Sequence, residues 1–154
     1  MRSSTALLLA CSQVACPAPA NGLDGSISGR FSLEFDRTEA TKVECLLQID
    51  YVVDRPLGEE VPCRIEIDMG GLNLHDGSSI EGKEFEEHVE ILRLALSGGR
   101  FPPVASGWIH LDDLALKAGE MLIGGFGVTF EGGRDLFGTF DSALVELPPI
   151  RTCH

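Results

Sequence analysis

The chain has no basic run, no long apolar run and few amphipathic aromatics. Twelve Lys and Arg face 24 Asp and Glu, a formal charge of −12. Phosphate recognition needs clustered cations, so nucleic acid is excluded as a partner. Trp108 and Tyr51 are the single Trp and the single Tyr, which is sparse for a broad stacking surface. The strong zinc patterns, His-Glu-x-x-His and Cys-x-x-Cys, are missing. No glycine-rich loop has phosphate-binding spacing. Gly25-Ser26-Ile27-Ser28-Gly29 superficially suggests a nucleophile elbow, but Ile27 stands where the serine belongs. The apolar stretch at the N-terminus is far shorter than the roughly 20 residues that span a bilayer.

What is present is glycine, proline and period-two alternation. Eighteen glycines and eight prolines suit short strands joined by turns. The clearest feature is a closing hairpin, Met121 to Phe130 and Leu136 to Val145, around Glu131-Gly132-Gly133-Arg134. A three-residue loop, Gly132 to Arg134, places Phe130 opposite Leu136 and Phe126 opposite Phe140. Val128 then faces Gly138, and Leu122 faces Leu144. Upstream, Ile27, Phe31, Leu33 and Phe35 alternate with polar residues as a half-buried strand, and Asp36 to Glu39 form a turn. A longer strand follows, with Val43, Cys45, Leu47, Ile49, Tyr51 and Val53 on one face. Asp54 to Gly58 break it, and Cys63, Ile65, Ile67 and Met69 mark the next. Leu72 to Leu74 offer a short strand within a glycine-bounded loop. In 84–96, Phe85, Val89, Leu92 and Leu96 follow helical spacing, which predicts a short helix ended by Ser97-Gly98-Gly99. Read as a strand instead, Val89, Ile91 and Arg93 share a face. Ser106 to Leu111 is another strand.

These elements predict a mainly β chain, an antiparallel β-sandwich with a flattened β-barrel as the alternative, and one short helix near 84–96. The β-domain is expected over 22–147, with 148–154 as a C-terminal tail. Residues 1–20 read as an export signal and linker: Met1-Arg2, a short apolar stretch around Leu7 to Leu9, then small residues. Its endings compete. Leu8-Leu9-Ala10-Cys11 has the form of a lipobox, with Cys11 lipidated; Cys16 is the alternative, and ordinary cleavage after Ala20 is the third. An exported location permits disulfides, and Cys45, Cys63 and Cys153 are the candidates. In a simple hairpin Cys45 faces Gly71 and Cys63 faces Val53, so a bridge either crosses between sheets or joins Cys45 to Cys153. Buried free thiols are the competing reading.

Chemistry-bearing residues are few. His110 and Asp112 lie two apart on one strand face, joined by Trp108, and are the candidate metal pair or the edge of a stacked sugar ring. Glu84 and His88 would share one helix face. Calcium needs several oxygens together, and the loops offer Asp54 with Glu59 and Glu60, Asp112 with Asp113, and Glu131 with Asp135. No catalytic residue or cofactor is assigned.

From Gly107 to Val145 the chain resembles the closing part of uncharacterised β-rich lipoproteins and exported proteins of Gram-negative bacteria. The resemblance is carried by Gly107-Trp108-Ile109, Gly119-Glu120, Gly125-Phe126 and Gly138-Thr139-Phe140-Asp141-Ser142-Ala143-Leu144. It implies an envelope location and supplies no activity. The expected function is a non-catalytic exported binding or interaction module in the periplasm or at the outer membrane or cell surface, with a protein or envelope component as partner and a lipid anchor as its membrane link. A carrier of barrel type, with Phe31, Phe35, Phe126 and Phe140 around an apolar cavity, is one alternative; a small hydrolase is the other.

Overall fold

A computed structural model describes residues 21–96 and 98–148. The export signal, with Cys11, Cys16 and Ala20, and the tail with Cys153 lie outside the described residues. The strands are β1 (Gly22–Asp24), β2 (Arg37–Val43), β3 (Leu46–Arg55), β4 (Gly58–Asp68), β5 (Ser78–Glu81), β6 (Val89–Leu94), β7 (Val104–Asp113), β8 (Met121–Phe130) and β9 (Asp135–Glu146). Among the described residues there is one α-helix, α1 (Gly82–His88), which runs directly into β6, and Ser26–Gly29 form a 3-10 turn. The strand order is β5-β7-β8-β9-β2-β3-β4-β6, with β1 also on β9. The chain is mainly β, a curled half-barrel consistent with a sandwich or a flattened barrel.

Strand β9 is the pivot. It pairs antiparallel with β8, and on its other edge takes β1 at Gly22↔Thr139 and then β2 in parallel at Ala40↔Leu144. All other pairings are antiparallel. The two ends of the strand order, β5 and β6, are consecutive in sequence and joined only by α1. Phe85 of α1 is buried against Gly107 and Val128, which ties the helix to β7 and β8.

The concave face encloses one core. Leu47, Ile49, Tyr51, Ile65 and Ile67 supply it from β3 and β4; Ile109, Leu111, Phe126, Phe130, Leu136 and Phe140 supply it from β7 to β9. Each large side chain buried this way contributes about 1.5–3 kcal/mol relative to exposure. Glycines make room for the rings. A Cβ on Gly124 would meet Phe140 Cζ at 2.9 Å, and one on Gly138 would meet Tyr51 Oη at 2.6 Å. Phe35 stands edge-on to Tyr51 at 5.0 Å, and Tyr51 lies 6.2 Å from Phe126. Phe31 pairs instead with Phe101 at 5.3 Å. The four phenylalanines expected around a cavity thus meet different partners within one core: Phe35 and Phe126 stand on Tyr51, Phe31 on Phe101, and Phe140 against Gly124.

Several elements differ from the sequence reading. Residues 27–35 are not a strand. Gly25 has φ 154 and lies hard against the backbone of Asp135 and Leu136, and Ser26 Oγ accepts the Asp135 N–H at 2.8 Å. The segment packs on the core without joining the sheet over 27–35, and Ile27, Phe31 and Leu33 are still buried. The expected turn at 36–39 is the start of β2. The long strand from Val43 is two strands, because Glu44, at φ 58, and Cys45 form a hairpin turn. The inner face of β2 is Thr38, Ala40 and Lys42, opposite Tyr51, Ile49 and Leu47, so its burial leaves little apolar pattern.

The β3–β4 turn is the pair Pro56-Leu57, and a bulge sets Cys63 opposite Tyr51, not Val53. Cys63 is a free, fully buried thiol, which removes it from the disulfide candidates. The carbonyl of Cys45 accepts the Met69 N–H at 2.8 Å. The expected strand at 72–74 is irregular. The expected helix over 84–96 stops at His88, and β6 takes over. The closing hairpin keeps its faces but slips by two in register: Val128 faces Leu136, and Phe126 faces Gly138. The loop is Glu131 to Gly133, closed by the Phe130 N–H donating to the Arg134 carbonyl at 2.8 Å.

Candidate functional site

Directly opposed residues of neighbouring strands share a face, so the register defines the outer face of the β5-β7-β8-β9-β1 half. One row across it is Glu81, Trp108, Gly127, Phe137 and Asp24. The next is Ser79, His110, Gly125, Thr139 and Gly22. In both rows the central strand, β8, presents glycine.

That absence of side chains makes a trough. Trp108 is 43% exposed and Phe137 is 48% exposed. A Cβ on Gly127 would lie 2.6 Å from Trp108 Nε1 and 2.9 Å from Phe137 Cδ1, so both rings lean over the bare strand. Beside them Gly125 leaves the floor open. The resulting groove has a volume of about 290 Å³ and is walled by Leu23, Trp108, Phe137 and Thr139. Exposed apolar surface framed by polar residues is the usual mark of an interaction site. The charge around it has one sign. Strands β1, β5, β7, β8 and β9 contain no Lys or Arg, while Asp24, Glu81 and Asp112 stand exposed on this face.

His110 joins the sequence-predicted Asp112 here. Its Nε2 lies 3.2 Å from Asp112 Oδ1, and its Nδ1 lies 2.8 Å from Ser79 Oγ. A neutral imidazole satisfies both if the Ser79 hydroxyl donates to Nδ1 and Nε2–H donates to the carboxylate. The arrangement is a Ser–His–Asp line on an open sheet surface. The Asp112 side chain is 61% exposed, so water screens its charge. As a metal site it offers two ligands. Among the described residues, no three or more His, Cys, Asp or Glu come together to hold an ion.

The other candidates separate. His88 Nδ1 donates to the Asp68 carbonyl at 3.0 Å in the tautomer that carries its proton there. Asp54 and Glu59 do approach each other, but Arg37 sits between them and also takes Glu39 at 2.7 Å. Hydrogen bonds from Arg37 to Asp54, then Glu39 and Glu59, raise the guanidinium's pKa further. A cation-binding loop is thereby occupied by the protein's own cation. Asp135 accepts the Thr129 hydroxyl at 2.9 Å.

Two residues escaped the sequence reading. Ser79 reaches His110 only through the β5–β7 register, which no local pattern reveals. Arg93 had a visible signal: in the strand reading of 89–93 it falls on the apolar phase with Val89 and Ile91. It is indeed buried there, at 8% exposure. Compared with protein-family models, curated proteins and solved structures, the chain matches none.

Proposed function

We propose that the chain is a non-catalytic binding module of the bacterial cell envelope, whose Trp108–Phe137 groove receives a basic, apolar segment of a partner protein. The observation that carries this reading is the row Glu81-Trp108-Gly127-Phe137-Asp24: two leaning rings over bare backbone, with a carboxylate at each end. An inserted aliphatic or aromatic side chain gains burial and ring contact. Flanking Lys or Arg would meet Asp24 and Glu81 and gain cation–π contact with the indole. The one-sign charge of these strands speeds such an encounter and rejects acidic competitors. Export, by lipidation at Cys11 or Cys16 or by cleavage after Ala20, belongs to the same reading. So does a disulfide from Cys45 to Cys153.

The small-hydrolase reading is second, favoured by the Ser79–His110–Asp112 line. It ranks lower because the line lies on a flat, wetted sheet surface. General-base catalysis gains most where water is excluded.

Trp108 is the chain's single Trp, so its emission reports the groove directly. Titration with Lys-Leu-Lys-Leu-Lys should shift that emission saturably, and Glu-Leu-Glu-Leu-Glu should not. Phe137→Ala should weaken binding about tenfold, in line with loss of a well-packed aromatic contact. Equal response to both peptides, or to neither, overturns the reading. Turnover of p-nitrophenyl acetate that Ser79→Ala abolishes would move the assignment to a hydrolase.

A further inference from the structure

Strand β6 is the last strand of the curled sheet, and Arg93 points into the core side of it, among Ile91, Phe31 and the segment before β7. The side chain is 8% exposed. Among the described residues its Nε and Nη1 atoms have no hydrogen-bond partner. Its guanidinium carbon stands 5.5 Å from the centre of the Phe31 ring. Burial also draws its pKa down from the ordinary arginine value, with Glu60 opposing the shift. Glu60 faces Arg55 at 3.8 Å, so its charge is shared with a second cation. A buried guanidinium without hydrogen-bond partners is costly to keep, and such groups are normally paired.

Arg93 lines a cleft of about 500 Å³ between β6 and the extended segment Arg100 to Val104. Arg100 contributes a second cation to its lining, and Ile91, Phe101 and Val104 contribute apolar walls. Phe101 is fixed between Phe31 and Phe130, with ring centres 5.3 Å away on both sides. Glu90 is the one acid of the lining. An apolar cleft with one or two convergent polar groups is the usual form of a small-molecule site. Here two of the polar groups, Arg93 and Arg100, are planar cations in a chain whose net charge is −12.

We propose that this cleft binds a small organic monoanion, an apolar carboxylic acid whose carboxylate is taken by Arg93 and whose hydrocarbon body lies against Phe101 and Val104. A planar carboxylate matches a planar guanidinium and accepts from its nitrogens with charge assistance. One negative charge supplies what Arg93 lacks. The site is separate from the Trp108 groove, and either assignment stands without the other.

The test uses the full chain and dodecanoate, followed by isothermal titration calorimetry, with 1-dodecanol and dodecyltrimethylammonium as controls. Dodecanoate should bind saturably and the two controls should not. Arg93→Met keeps the apolar stem and removes the charge; it should weaken binding about thirtyfold, the loss expected for hydrogen bonds to a charged group. Arg100→Gln, on the other wall, should weaken it several-fold less. Absence of dodecanoate binding, or equal binding by Arg93→Met, overturns the proposal. Tighter binding of the peptide acid acetyl-Ala-Val-Ala-Val than of dodecanoate also overturns it, since the cleft would then take a polypeptide C-terminus along the β6 edge.

Discussion

At the scale of single residues, glycine decides both faces of the sheet. On the inner side Gly107 admits Phe85: a Cβ there would lie 2.6 Å from Phe85 Cε1 and 2.8 Å from Val128 Cγ1. Neither neighbour can retreat easily, because Phe85 is fully buried and Val128 is fixed in β8. Gly107→Ala should therefore cost about 1–3 kcal/mol, the range for overpacking a filled core. Urea unfolding followed by circular dichroism measures it. A change below a few tenths of a kcal/mol would show that α1 is free to move off β7. On the outer side Gly127 performs the opposite service. It leaves Trp108 and Phe137 leaning over backbone in a solvent-facing groove, where the same absence of a side chain creates a surface for a ligand instead of a seat for a ring. Sequence alone could see that these positions are glycine. It could not see which ring each glycine receives, because the answer depends on which strands are neighbours.

At the scale of elements, the parts that sequence made legible are those whose burial pattern is their own. Strands β3, β4, β7, β8 and β9 carry apolar alternation over most of their length, interrupted at bulges, and are recognisable from it. Strand β2 has no apolar signature because Thr38, Ala40 and Lys42 form its inner face, and the segment before it has a strand's pattern without being one because Ile27, Phe31 and Leu33 alternate while packing on the core. The α1–β6 junction misled for a related reason. Phe85 and Val89 satisfy a helical period and Val89 and Ile91 a strand period, and the switch between them at His88 has no glycine or proline to announce it. The candidate site divides the same way: His110, Asp112 and Trp108 were readable from two-residue spacing, whereas Ser79 and Arg93 needed neighbouring strands to acquire meaning. Turn chemistry is more local, and it yields a prediction for the β7–β8 connection. Glu120 Oε2 accepts the backbone N–H of Leu116 at 3.0 Å and of Lys117 at 3.1 Å. These two hydrogen bonds hold its carboxyl below the ordinary glutamate range. A carboxylate with a depressed folded pKa stabilises above its unfolded value of about 4.3 and loses that effect as pH falls through the folded value. Amide protection at Leu116 and Lys117, relative to intrinsic exchange at each pH, should thus fall selectively in that acidic window, and Glu120→Gln should show lower protection already at pH 7. Unchanged protection in the variant would mean that the turn is held by its backbone hydrogen bonds, Glu120 N–H to the Lys117 carbonyl and the Gly119 and Glu120 pairing with Leu144.

At the scale of the whole molecule, the two halves of the curled sheet divide polar work between them. The β2-β3-β4 half holds its charges in pairs, with Arg64 on Asp50 at 2.7 Å through two nitrogens and Arg37 among three acids. The β5-β7-β8-β9-β1 half has acids and no strand cation, and it carries the groove. What joins them is the common core, and that core contains two groups that titrate in base. Burial, with the Asp50 charge second, pushes the Cys63 thiol up; burial, with Cys63 second, pushes the Tyr51 phenol up. Tyr51 also donates to the Thr139 carbonyl at 2.8 Å, which links β3 to β9. In the unfolded chain the thiol loses its proton near about pH 8.5 and the phenol near about pH 10. Above each of those values the unfolded state releases a proton that the folded state retains, so stability must fall as pH rises. The stabilisation from Cys63 is complete below about pH 8.5, and its loss approaches about 1.4 kcal/mol per pH unit above that point. A second group, Tyr51, adds an equal slope above about pH 10. Urea unfolding free energies measured from pH 7 to 10.5 should therefore bend downward twice. Cys63→Ala should erase the first bend and leave the second. If the variant falls as steeply as the parent between pH 8.5 and 9.5, the thiol is not sealed in the core and the packing of β3 against β4 at Tyr51↔Cys63 is looser than described.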